Sequence, residues 1–356
     1  MNSANSGNAI FPPAVPTGAS ALARPLRVVA IGGGTGLSTL LRGLRRHVAA
    51  AGHNGPSHGE IADLAAVVTV TDDGGSSGRL RKDFNMLPPG DLRNCMVALS
   101  EEEALLARLF NHRFRGGDAL KGHNFGNLFV AALTEITGDF ALAIQLSSKI
   151  LATRGRIYPA TTANTTLVAS MDDGSIVRGE TNLTASRRRI VELRLDPPGP
   201  PPLPETLEAI ERADLITVGP GSLYTSLITN LLVEGIPQAL ARARGLRVFI
   251  CNLMTQANES LGLSAAEHIE RIYEHTGAPI FDCALVNTAP FSAETVSRYL
   301  AEGASPIVPD VARVQALGVR CVFGNFASEE NVVRHNSERV TAALLELGQG
   351  ALQRTA

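Results

Sequence analysis

Short unbroken apolar runs recur along this chain, and each ends in glycines, acids or amides. Val28-Val29-Ala30-Ile31 leads into Gly32-Gly33-Gly34-Thr35-Gly36, and Leu64 to Val70 leads into Thr71-Asp72-Asp73-Gly74-Gly75-Ser76-Ser77-Gly78. Ala213 to Val218 meets Gly219-Pro220-Gly221-Ser222, and Arg247 to Cys251 ends in Asn252. Phe281 to Asn287 and Cys321 to Phe323 follow the same habit. Runs of this kind, bounded by turn residues, read as interior strands of an α/β sheet.

Helical spacing fills the gaps, at Leu37 to Val48, Leu128 to Leu133, Asp139 to Leu151, Pro204 to Arg212 and Glu330 to Leu347. Ser264 to His275 is a further helix, with Ser264 and Glu267 in capping-box spacing. Between Ile157 and Leu195 the pattern shortens to small strands, with Asp172-Asp173-Gly174 as a hairpin turn, and Pro197 to Pro202 closes the segment as a stiff connector. The expected organisation is a disordered tail at 1–25, one α/β domain at 26–346 with a β-rich insertion at about 157–196, and a frayed end at 347–356. Residues 51–60 read as a surface connection, and Arg187-Arg188-Arg189 as a solvated face.

Composition narrows the function. Lys plus Arg number 32 against 34 Asp plus Glu, and aromatics are 4% with no Trp, so neither a basic surface nor a stacking platform for nucleic acid is present. The four cysteines form no Cys-x-x-Cys pair, which favours a reduced, cytoplasmic protein without structural zinc. Residues 1–23 lack the charged region and unbroken apolar core of a signal peptide, and Leu215 to Val233 is interrupted by glycine, proline and hydroxyl residues, so no membrane segment is expected.

Gly32-Gly33-Gly34-Thr35-Gly36 sits between strand and helix, where exposed amides and the helix dipole attract phosphate. It lacks the sixth-position glycine of the dinucleotide fingerprint and the lysine of a Walker loop. Gly219-Pro220-Gly221-Ser222, followed by Tyr224 and Thr225, repeats its logic, so two cradles favour a ligand with a diphosphate or two phosphates. Asp72 and Asp73, with Gly74, Gly75 and Ser76, end the next strand, near the first loop if the two strands are neighbours; carboxylates there can hold Mg²⁺ or ribose hydroxyls, and an ordinary turn is the simpler alternative. Asp91 reads either as a cap on its own helix or, with Arg93 and Asn94, as a group facing the ligand. His123, Asn124 and Asn127 offer donors and acceptors before another helix, although a base needs a positioned partner. Asn252 ends a strand on the same side.

Taken in order, Gly-Gly-Gly-Thr-Gly, Thr-Asp-Asp-Gly-Gly-Ser-Ser-Gly, Gly-Asp-Leu-Arg-Asn, Gly-His-Asn-Phe-Gly-Asn and Gly-Pro-Gly-Ser-Leu-Tyr-Thr-Ser resemble the gluconeogenesis factor family, a branch of the 2-phospho-L-lactate transferase superfamily, over about residues 26–345. The resemblance implies a three-layer α/β/α sandwich with a Rossmann-like, mostly parallel sheet. The transferase branch moves a phospholactate group from a guanosine diphospho-donor to a deazaflavin with Mg²⁺, and there the acid matching Asp91 lies by the acceptor. The other branch, which this chain resembles at Asp72-Asp73-Gly74-Gly75 and Gly219-Pro220-Gly221-Ser222, is linked to UDP-sugars such as UDP-N-acetylglucosamine, to carbon-source use and to cell shape. The leading expectation is a cytoplasmic nucleotide-sugar-binding regulator, homodimeric and read by a protein partner. The rivals are an Mg²⁺-dependent phospho-group transferase with Asp72 or Asp73 on the metal and Asp91 on the acceptor, and an NAD-binding oxidoreductase.

Overall fold

The computed structural model describes residues 24–49, 59–101, 105–186, 188–257 and 259–355; nearly all of the tail read at 1–25, most of the 51–60 connection and Arg187 lie outside the described residues. Successive side chains of a strand point to opposite faces, so an unbroken apolar run feeds two cores at once. In β1 (Leu26–Gly32), Val29 and Ile31 enter one cluster while Leu26, Val28 and Ala30 enter the other. β2 (Ile61–Val68) divides likewise, with Ala65 and Val67 opposed to Leu64, Ala66 and Val68. β3 (Arg156–Pro159) lies parallel to β2 at one edge. β4 (Thr166–Met171), β5 (Ile176–Arg178) and β6 (Ile190–Asp196) form a separate antiparallel sheet in the order β5-β4-β6.

The main sheet resumes with β7 (Leu215–Val218), β8 (Leu246–Ile250), β9 (Cys283–Asn287) and β10 (Arg320–Gly324). Its seven strands run in the order β10-β9-β8-β7-β1-β2-β3, each pair parallel. One face is covered by α1 (Gly34–Arg45), α3 (Gly90–Leu99, following α2 at Gly75–Phe84) and the closing helix Ser337–Thr355, through Leu40, Leu44, Leu92, Met96 and Leu344. The other is covered by the small sheet and by helices Pro204–Arg212 and Ala265–Thr276, through Leu167, Leu193, Ile210 and Ile269. This is the three-layer α/β sandwich expected from the sequence.

The structure corrects several element boundaries. The run from Ile157 opens in the main sheet, so the insertion's own sheet begins only at Thr166; a strand this short does not announce its partner. The first helix starts inside the glycine cluster, at Gly34. The stretch after Ser222 opens as a π-helical turn, Leu223–Ile228. The segment read as helix from Glu330 becomes helix only at Ser337, after β12 (Arg334–His335), which pairs with β11 (Ala327–Ser328), and that closing helix runs through the residues expected to fray, ending at Thr355. The capping box at Ser264 and the hairpin turn at 172–174 are both present. No helix among the described residues is long and apolar enough to cross a membrane.

Candidate functional site

The chain lays down β1, β2 and β3 in one direction and then places β7 on the opposite flank of β1. This reversal opens a crevice beyond the carboxyl ends of β1 and β7, where open α/β sheets bind ligands. Both glycine segments meet there. A Cβ on Gly36 would stand 2.4 Å from the Pro220 carbonyl oxygen, so α1 and the 219–222 loop are in backbone contact that only glycine permits. Asn230 ties the two halves, donating from Nδ2 to the Gly32 carbonyl at 2.9 Å.

The helix starts are already partly satisfied by the protein itself. Asp91 does not cap its own helix; its Oδ2 accepts the Gly34 amide of α1 at 2.7 Å. Glu259 Oε1 accepts the Thr225 amide at 3.0 Å inside the π-helical turn. These two amides, expected to meet phosphates, meet carboxylates. Burial, its largest influence, pushes the Asp91 carboxyl up to about 6, partly offset by the Gly34 hydrogen bond, and burial also raises Glu259. The Thr35 and Gly36 amides, which a first turn leaves without intrahelical partners, line the open cleft instead.

That cleft encloses about 260 Å³ and is bounded by Gly33 to Gly36, Pro220 to Ser222, Asn252, Gln256 and the β11–β12 hairpin. Asn252 pins the second loop, accepting the Gly221 amide at 3.3 Å and donating to its carbonyl at 2.8 Å. The Ser222 hydroxyl accepts from Gln256 Nε2 at 2.9 Å. His335 bonds to the Cys251 carbonyl at 3.0 Å and is pulled down to about 4 by burial, so it anchors the hairpin as a neutral ring. Arg334 beside it is exposed and has no ion pair among the described residues. Burial, and then the charge of Arg334, lowers Arg42, which hydrogen-bonds Thr39 at 2.9 Å. Arg334 thus lines the cleft, and Arg42, bonded to the cleft residue Thr39, lies near it; neither has a carboxylate partner among the described residues. The sequence reading missed Thr39, Ser226, Gln256 and Arg334; strands of two residues carry no period by which to place Arg334.

Behind Gly33 lies a second group, dominated by acids. A Cβ on Gly33 would stand 2.8 Å from Asp91 Oδ2 and 3.3 Å from Ser226 Oγ, so this glycine is the partition between cleft and acids. Asp72 Oδ1 accepts the Gly74 amide at 2.9 Å, and Asp73 Oδ1 accepts the Thr181 amide and hydroxyl at 2.8 and 2.6 Å. Asp73 thereby fastens α7 (Glu180–Ala185, following α4 at Leu105–Asn111, α5 at Phe125–Thr137 and α6 at Phe140–Ile150) and sets Glu180 beside the site. Glu180 is pushed up to about 9 by burial first and then by the charges of Asp72, Asp91, Glu259 and Asp73. Neither Glu180 nor Glu259 carried a motif in the sequence.

The remaining expected residues separate into support and core. Ser76 Oγ contacts His123 Nδ1 and accepts the Asn124 amide, both at 3.2 Å, and Asn127 Nδ2 donates to Ser77 at 3.4 Å. His123 has a hydroxyl neighbour, and among the described residues no carboxylate hydrogen-bonds its ring to orient it as a base. Asn94 accepts from Arg93 at 2.8 Å. Tyr224 is not at the cleft; it lies 1% exposed in the core with its hydroxyl on the Ile190 carbonyl at 3.4 Å. Gly75, at φ +49, opens α2 with nothing crowding it. Asp73 Oδ1 is taken up by Thr181, and no group of three His, Cys, Asp or Glu among the described residues is arranged to hold an ion.

A parallel α/β sheet with a glycine-lined cleft at its switch point defines a class of nucleotide-type binding folds. Comparison with known proteins narrows it. The family model for 2-phospho-L-lactate transferase CofD matches residues 28–327. The gluconeogenesis factor of Halalkalibacterium halodurans is 46% identical over 320 residues, covering 90% of this chain and 95% of that one, and that of Bacillus subtilis is 42% identical over 322 residues, covering 90% and 98%. A crystal structure of a Bacillus halodurans protein superposes with a TM-score of 0.85 at 45% identity, covering 90% of this chain and 100% of that one. The chain belongs to the CofD family, among the relatives named gluconeogenesis factors.

Proposed function

We propose that this protein is a cytoplasmic nucleotide-sugar-binding regulator linked to gluconeogenic growth and cell shape. Its mechanism is occupancy: a ligand such as UDP-N-acetylglucosamine stabilises one conformation, which a protein partner reads. The observation that carries this is the cleft itself, lined both by Thr35 and Gly36 of a helix's first turn and by Arg334, a guanidinium with no ion pair among the described residues. The diphosphate lies between them, with the hydroxyls of Thr39 and Ser222 alongside. The gluconeogenesis factor names of the relatives support the physiological link. Calorimetry with UDP-N-acetylglucosamine, GDP and NAD tests it: the UDP-sugar binds, and Arg334→Ala weakens it at least tenfold. Absence of binding by all three would sink the reading. A homodimer is expected and is measured by light scattering in the same samples.

The transferase reading draws on one observation, the raised carboxyl of Asp91 beside Gly33 and Gly34. Turnover of a nucleotide-diphospho donor that is lost in Asp91→Asn with ligand binding intact would favour it.

A further inference from the structure

The cleft and the acid group lie on either side of Gly33 and differ in electrostatic character. On the cleft side stands Arg334, with Arg42 close enough for the two charges to interact. On the other side stand Asp72, Asp91, Glu180 and Glu259. A Cβ on Gly90 would lie 3.0 Å from Asp72 Oδ2, which places Asp72 against the start of α3 and next to Asp91. Two cations face these acids, but their hydrogen bonds go elsewhere: Arg93 to Asn111 at 2.6 Å and Asn94 at 2.8 Å, Arg81 to Asn164 at 2.7 Å and to the backbone of Thr165.

One buried acceptor on this side lacks a donor among the described residues. Glu259 is 7% exposed, its Oε1 is held by the Thr225 amide, and the Thr225 and Ser222 hydroxyls stand beside its carboxylate. Asn127 is 3% exposed, its amide nitrogen reaches Ser77, and its Oδ1 has no partner. Buried acceptors are ordinarily satisfied, so the one left open at Asn127 calls for a donor from outside the chain. Groups that supply donors without negative charge are hydroxyls, amides and ammonium groups. A phosphate or carboxylate brings only acceptors and meets like charge, which costs most where water is excluded.

We propose that the acid-lined chamber behind Gly33, closed by Glu180 from the insertion, receives the non-nucleotide end of the ligand and selects a neutral, hydroxyl-rich or amino-bearing group over an anionic one. The orientation follows: the diphosphate stays at Arg334 and the head group points inward to Glu180. This rests on the nucleotide-sugar reading above. A protonated Glu180 adds a donor of its own, complementing the acceptors around it.

The test compares UDP, UDP-glucose and UDP-glucuronate, which differ in the presence of the sugar and in one carboxylate, by calorimetry at pH 7 on the full chain. UDP-glucose is expected to bind at least tenfold tighter than UDP-glucuronate, and Glu180→Lys to narrow that ratio below threefold. Equal affinity for the two sugars in the unaltered protein overturns this proposal while the nucleotide reading stands. Failure of all three to bind overturns the nucleotide reading and the proposal with it. The wild-type ratio decides the matter even where Glu180→Lys does not fold.

Discussion

Replacing Gly36 by alanine tests the contact on which the whole cleft depends. Gly36 lies in α1 without a positive φ, so in isolation the change should stabilise, by about 1 kcal/mol from helix propensity. The structure reverses the sign. The new methyl would stand 2.4 Å from the Pro220 oxygen, 2.8 Å from its carbonyl carbon and 3.2 Å from the Gly221 nitrogen, all backbone atoms. They cannot yield easily, because Asn252 holds Gly221 from both sides and the Gly219 amide is bonded to the Ile31 carbonyl at 2.9 Å. Forcing extra volume into such packing costs roughly 1–3 kcal/mol, with relief coming from a loop shift that widens the diphosphate end. Urea unfolding midpoints and UDP-sugar affinity, measured on the same variant, should both fall. Gly34→Ala is the control: at φ +61 with its nearest neighbour 3.9 Å away, it carries only the left-handed backbone cost of about 1–2 kcal/mol. A Gly36→Ala protein more stable than wild type would show that the two loops do not touch and refute the geometry of the site.

Asp91→Ala removes the acceptor of the Gly34 amide and should lower stability by about 1–2 kcal/mol, whereas Asp91→Asn, which keeps an acceptor, should lower it less; unfolding midpoints compare them. Glu180 has a folded pKa raised to about 9, so its contribution is greatest below its unfolded value near 4.3 and is lost as pH rises through 9. Glu180→Gln should accordingly raise the melting temperature most at pH 9 and least at pH 4, and a pH-independent difference would contradict that. Asp214 shows the opposite sign: bonds from Arg24 and Arg27 hold its carboxyl well below the usual range against the opposing effect of burial, its stabilisation is present above about pH 4 and is lost as pH falls. Asp214→Ala should cost about 2 kcal/mol at pH 7 and much less at pH 3, read from denaturation midpoints at the two values.

Much of this was legible in the sequence because a strand buried on two faces leaves an unbroken apolar run, and because a loop that touches another backbone needs glycine at Gly36. The order of the strands was not, since an apolar run says that it is buried and not beside which neighbour. The same limit explains Asp91, which satisfies a helix start 57 positions away in the chain rather than its own. Glu180 and Glu259 had no signal, being single acids in ordinary surroundings that become unusual only when the insertion and the stretch after β8 bring them to the crevice. Asp73 also fastens that insertion through Thr181, a contact 108 positions away that its turn motif does not announce. Tyr224 carried a polar tip in a promising motif, and its ring had more to gain in the core.

The placement of β7 beside β1 has a consequence in time. Asn230 and Gly32, whose hydrogen bond ties the halves of the crevice, are 198 residues apart, and Arg334 comes later still. At a synthesis rate of about 5–20 residues per second, the first glycine segment waits roughly 10–40 s for its partner to be made. Until then the inner flank of β1 is an unpaired strand edge, the state in which nascent chains are most prone to misassociate. A chain released before its final hairpin would carry all seven main-sheet strands and lack the guanidinium at the cleft mouth, so the cleft is complete only once synthesis has passed Arg334.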